Sequence, residues 1–87
     1  MNITWHANAW EDYLYWQKQD RRTLDKINKL LADICRNGYT GIGKPEQLRG
    51  DLSEYWSRRI DEKNRIVYSI ATDTVNIIQC GSHYRDK

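Results

Sequence analysis

Glu46, Arg49, Arg59, Arg65, His83 and Tyr84 are the residues of this 87-residue chain whose types could do chemistry together. A carboxylate and an imidazole make a base and an acid for moving protons near neutral pH, and a guanidinium grips two oxygens of an anion at once. Taken singly, each is ordinary. A glutamate after a proline is usually a loop carboxylate, and a histidine near a chain end is usually solvated, because ends fray. The stretch "GSHY" at positions 81–84 therefore sets the question: a loose tail, or a catalytic pair held at the end of a sheet.

Other chemistries find less support. His6, His83, Cys35 and Cys80 lack the close ligand spacings of zinc sites, so neither a metal nor any other cofactor is expected. There is no glycine-rich loop followed by Lys-Ser/Thr and no nucleophile elbow. Two cysteines are too few to staple a fold. The segment from Asn2 to Trp10 has neither the basic start nor the apolar run of a leader. No stretch approaches the roughly 20 apolar residues of a membrane span. The expectation is a cytoplasmic protein with reduced thiols and no membrane partner.

The elements that must position these residues can be read along the chain. Its length and a hydrophobic content of 39% suit one domain, residues 1–87, with a single core. "NITW" alternates as a short strand. Asn8 is the expected N-cap of a first helix, with Glu11 and Asp12 in its first turn and Trp10, Tyr13, Leu14 and Gln17 on one face. Asp20 is the expected cap of a second helix, whose apolar stripe is Leu24, Ile27, Leu31 and Ile34 and which Gly38 stops. Two amphipathic helices so close in sequence should pack as a hairpin. Gly41, Gly43 and Pro45 mark a loop that leads into a short extended piece at Glu46 to Leu48. Three strand-like runs follow, "YWSRRI", "RIVYSI" and "TVNIIQC", the last two joined by a compact turn at "ATD". The fold class is thus α+β, with helices segregated from strands.

Alternation places the charges. Ile66, Tyr68 and Ile70 share one face of their strand, and Trp56 and Ile60 share one face of the strand before it. If both apolar sets meet the helices, Arg59 and Arg65 emerge together on the uncovered face, a platform for an anionic ligand. Arg58 falls on the inner side with Trp56 and is expected to snorkel at the edge. The local run "SRRIDEKNR" carries Arg58, Arg59, Lys63 and Arg65 in a chain whose net charge is only +2. Such a patch suits phosphates, or simply a solvated hairpin.

"WEDYLYWQKQDRRTLDKINKLLADI", "GIGKPEQL", "WSRRIDEKNRIVYSI" and the terminal "HY" resemble, in this order, the YoeB toxins of the RelE/ParE superfamily. The resemblance runs from about Trp5 to Tyr84. It implies a RelE-like microbial RNase fold, with an N-terminal strand and a two-helix hairpin packed on one face of an antiparallel sheet. It also implies the toxin of a type II toxin–antitoxin pair: a ribosome-dependent endoribonuclease that cuts mRNA in the A site. The partners implied are a YefM-like antitoxin, the ribosome and mRNA, a second copy of the chain in a homodimer, and operator DNA only as the toxin–antitoxin complex. The family's catalytic positions correspond to Glu46, Arg65, His83 and Tyr84, with basic support from Arg49 and Arg59. Two departures stand out: relatives often carry lysine where this chain has Arg49, and often end at the tyrosine, where Arg85, Asp86 and Lys87 follow here.

The residue types fit that reaction. RNA carries its own nucleophile, the 2′-OH, so cleavage needs a base for that proton, an acid for the departing 5′-oxygen and cations for the phosphorane. Glu46 is assigned as base, His83 as acid and Arg65 as transition-state stabiliser. Arg49 and Arg59 would hold the backbone, and Tyr84 would stack on a base or orient the phosphate. The competing reading is a non-enzymatic inhibitor of DNA gyrase, like the ParE relatives, which lack a base–acid set. A plain nucleic-acid-binding module is a third.

Overall fold

The structure is a computed structural model that describes residues 1–82; residues 83–87 lie outside the described part. Strand β1 (Asn2–Trp5) leads into helices α1 (Ala7–Gln19) and α2 (Arg21–Asn37). The glycine-rich loop then enters a two-residue strand β2 (Glu46–Gln47) and a 3-10 turn at Gly50–Leu52. Three strands complete the sheet: β3 (Trp56–Arg59), β4 (Arg65–Ala71) and β5 (Thr74–Gly81). Their order is β1-β5-β4-β3-β2. From β2 to β5 each pairing is antiparallel, whereas β1 joins β5 in parallel, so the sheet is mixed. Almost the whole chain separates β1 from β5, and no tight turn imposes an antiparallel register on that edge.

Helix α2 follows the sequence closely. The Asp20 carboxylate accepts the Thr23 N–H at 3.2 Å, and Gly38, at φ 69°, ends the helix with its N–H on the Ile34 carbonyl. Ile27, Leu30, Leu31 and Ile34 are buried, so Leu30 joins the expected stripe while Leu24 stays half-buried. Helix α1 departs from expectation. His6, not Asn8, is its N-cap, so Glu11 and Asp12 fall beyond the first turn. Its buried residues are Ala9 and Asp12, flanked by half-buried Tyr13 and Trp16, while Trp10 and Leu14 are 43% and 40% exposed. Tertiary contacts set this face. The Trp16 indole donates to the Cys80 carbonyl at 2.9 Å, and a Cβ on Gly81 would lie 3.1 Å from the Asp12 carboxylate, so α1 lies close along the end of β5. Trp10 packs instead against the rings of Trp5 and Tyr13. The helices do form a hairpin, tied by the Tyr13 hydroxyl donating to Asn28 at 2.7 Å.

Helix residues Ile27, Leu30 and Ile34 meet Ile66, Tyr68, Val75, Ile77 and Cys80 in one core. Ile77 and Cys80 are both fully buried, although strict alternation would point them to opposite faces. A bulge reconciles them: Val67 pairs with Gln79 and Tyr68 with Ile77, leaving Ile78 as the extra residue. Burial, with Asp12 nearby, pushes the Cys80 thiol up to about 12, which leaves it protonated at neutral pH. Among the described residues no helix is long and apolar enough to cross a membrane.

Candidate functional site

Register brings three of the expected residues to one face. Glu46 pairs with Ser57, Ser57 with Val67, Arg59 with Arg65, and Arg65 with Gly81. Directly paired residues share a face, as do residues two apart on one strand. Glu46, Ser57, Arg59, Arg65 and Val67 therefore stand on the same side, with Ile66 and Tyr68 on the other. With paired Cα atoms about 5 Å apart and a rise of about 3.4 Å per residue, Glu46 lies roughly 8 Å from Arg59 and roughly 12 Å from Arg65, Cα to Cα. Side chains of their length reach one phosphodiester from both flanks. The face is less bare than alternation implies. Glu46 and Arg59 are exposed, but Ser57, Val67 and Gln79 between and beside them are only 8%, 3% and 7% exposed.

The turn between β3 and β4 prepares Arg65. The Asp61 carboxylate accepts the N–H groups of Lys63 and Asn64 at 2.9 and 2.7 Å and the Asn64 side-chain amide at 3.0 Å. The turn thus closed aims carbonyls at Arg65: its Nη1 donates to Asp61 at 2.7 Å, to Asn64 at 3.1 Å and to Glu62 at 3.3 Å. Among the described residues these bonds use neither Nε nor Nη2, which leaves an edge of the guanidinium for an anion. Sequence reasoning passed over Asp61 and Asn64, although an aspartate three residues before an asparagine between two strand-like runs is a turn signal.

Arg58 corrects another expectation. It does not snorkel: it is fully buried, and all five of its N–H groups are taken. Nε donates to the Tyr68 hydroxyl at 3.1 Å, Nη1 to Asp33 at 2.6 Å and the Ile42 carbonyl at 2.7 Å, and Nη2 to the carbonyls of Gly38 at 2.8 Å and Thr40 at 2.7 Å. Loop acceptors substitute for water, which removes the reason for the charge to seek the edge.

Arg49 is not joined to this group. It is exposed, beyond the end of β2, and caps the 3-10 turn. His83 and Tyr84 lie outside the described residues. Arg59 also borders an open groove of about 460 Å³, where Lys26 and Lys44 stand with Asp61 and Glu62. Among the described residues no cluster of His, Cys, Asp or Glu could hold a metal.

Three carboxylates lie below the ordinary aspartate value: Asp33 through the hydrogen bond from Arg58, Asp20 through that from Thr23, and Asp61 because bonds from Asn64 and Lys63 outweigh the opposing effect of burial. A carboxyl whose folded-state pKa is depressed stabilises the fold fully above its unfolded value and loses that contribution as pH falls through the folded value. The melting temperature is therefore expected to hold from neutral pH down to about 4 and to fall below that. Asp33→Asn should flatten the acid limb. Thermal melts from pH 2 to 7 check it, and an acid limb unchanged by the substitution would contradict the assignment to Asp33.

Comparison with known proteins agrees with this architecture. The family described as YoeB-like toxin of bacterial type II toxin–antitoxin system matches residues 5–84. Toxin YoeB of Streptomyces coelicolor is 50% identical over 84 residues, which span 97% of this chain and 100% of the relative. The heterotetrameric YoeB–YefM toxin–antitoxin complex from Staphylococcus aureus contains a similar chain, 46% identical with a TM-score of 0.90, covering 97% of this chain and 98% of that one. The YoeB dimer from Staphylococcus aureus matches at 46% identity and a TM-score of 0.89, with the same coverage.

Proposed function

This chain belongs to the YoeB-like toxins of bacterial type II toxin–antitoxin systems, and from that premise we propose that it is a ribosome-dependent endoribonuclease that cuts mRNA in the A site. The observation that carries the reading is the shared face of Glu46, Arg59 and Arg65, an acceptor for a proton beside two cations for a phosphate. Glu46 takes the proton of the 2′-OH as that oxygen attacks phosphorus. The bond to the 5′-oxygen breaks, and His83 gives that oxygen its proton. Arg65 stabilises the charge that develops on the phosphorane, Arg59 and Arg49 hold the backbone, and Tyr84 stacks on a base or orients the phosphate. The products are a 2′,3′-cyclic phosphate and a 5′-OH, with no metal in the reaction. The toxin–antitoxin complex of the staphylococcal relative supports a YefM-like antitoxin as partner; in this reading the antitoxin covers the cationic face, and the pair together binds operator DNA. The free toxin pairs with a second copy, as the staphylococcal relative does, and acts in the cytoplasm.

Ribosome dependence follows from the small site. Base and acid each contribute roughly 10²–10⁴-fold at best, and only on a substrate held in line for attack. A modestly charged sheet face is poorly equipped to hold flexible RNA by itself. Primer extension on mRNA with purified ribosomes and EDTA should show cuts in the A-site codon, and the same mRNA without ribosomes should stay intact. Equal cutting of naked and ribosome-bound mRNA would remove the ribosome from the mechanism. Growth arrest with no RNA cleavage would favour the gyrase-inhibitor reading instead.

A further inference from the structure

We infer that Arg58 is a positioning residue for Glu46: it clamps the loop that leads into β2 and so fixes where the Glu46 carboxylate stands against Arg59 and Arg65. The catalytic consequence rests on the nuclease reading above, and the geometry does not.

The carbonyls that Arg58 holds, those of Gly38, Thr40 and Ile42, belong to alternate residues of a stretch without regular structure. Their convergence on one guanidinium curls the stretch into an arc. Asp33 completes the hub, since its Oδ2 takes both Arg58 Nη1 and the Ile42 N–H. The arc leaves no room for a side chain at two positions: a Cβ at Gly41 would lie 1.9 Å from Asp33 Oδ2, and one at Gly43 would lie 2.6 Å from Leu30. Gly41, Gly43 and Lys44 all take positive φ, at 124°, 82° and 52°, immediately before Pro45 and Glu46. The glycines take such angles freely, but at Lys44 the left-handed backbone persists only where its surroundings over-determine it.

Strand β2 cannot supply that determination. It has two ladder positions, Glu46 opposite Ser57 and Gln47 opposite Trp56. Two residues are shorter than a self-sustaining strand. What holds Glu46 in place is the Arg59 N–H on the Gly43 carbonyl at 2.6 Å on one side and the Leu48 N–H on the Tyr55 carbonyl at 3.0 Å on the other. Arg58 stands next to Arg59 in β3 and fixes the first of these through the arc. An apolar residue would fill the volume but leave three loop carbonyls without a donor.

The test uses Arg58→Lys, which keeps the charge but offers three donors from one nitrogen instead of a planar fork of five. Asp33→Asn serves as the second variant should Arg58→Lys not fold. Hydrogen exchange is expected to speed up at the amides of Ile42, Leu48 and Arg59 while those of β4 and β5 stay protected. Single-turnover cleavage on ribosomes is expected to fall roughly 10²-fold, the scale of an ångström-sized misplacement, with ribosome affinity unchanged. Glu46→Gln should then cost less in the Arg58→Lys background than in the parent, by the same factor. Unchanged exchange at those three amides, or a Glu46→Gln effect as large in both backgrounds, overturns the inference. Should the parent not cleave RNA at all, the nuclease reading falls and the exchange pattern alone decides the positioning.

Discussion

His83→Gln is expected to slow single-turnover cleavage of ribosome-bound mRNA by roughly 10²–10⁴-fold, the contribution of one well-placed general acid, with little change in melting temperature. Stability and activity should separate because a side chain so near a chain end seldom carries a core. The chain reaches the cationic face just before it, since Gly81, two residues earlier, pairs with Arg65. A chemical control isolates the role. When the leaving 5′-oxygen is replaced by sulfur, departure needs no proton, so His83→Gln should recover on that substrate while Glu46→Gln should not. Full activity of His83→Gln, together with full activity after deletion of residues 82–87, would return the histidine to the status of a frayed end.

Arg65→Ala is expected to reduce cleavage by roughly 10²–10³, or about 2.7–4 kcal/mol of transition-state stabilisation, while the protein still binds ribosomes. The physical reason is preorganisation. Nη1 is tethered to three turn carbonyls, so the guanidinium is oriented before substrate arrives and spends little in aligning with the phosphorane. Arg65→Lys should restore little, because an ammonium cannot hold the turn carbonyls and present a flat edge at once. Arg59→Ala, at the exposed partner position, should weaken binding more than it slows the chemical step. Rates and affinities measured separately on ribosomes decide between these roles, and exchanged effects for the two arginines would reverse them.

Much of this arrangement is local in origin and was legible from residues alone. Asp20 and Gly38 bound α2 because a short polar side chain satisfies free N–H groups and glycine tolerates positive φ, preferences that need no tertiary partner. The period of two in "WSRR" and "RIVYSI" was enough to place Arg59 and Arg65 on one face, because the helices can cover only the apolar side. The set of candidate chemical groups was likewise open to reading, since it depends on residue type. Tertiary structure decided the rest. Which stripe α1 buries depended on its approach to Cys80 and Gly81, more than 60 positions away in sequence. The direction of β1, and the bulge that turns both Ile77 and Cys80 inward, depended on which strand lay beside which. Arg58 is the clearest case: alternation put a charge on the core side, and only the folded loop, bringing Asp33 and three carbonyls to one point, could make a buried cation stable there and place Glu46 by means of it.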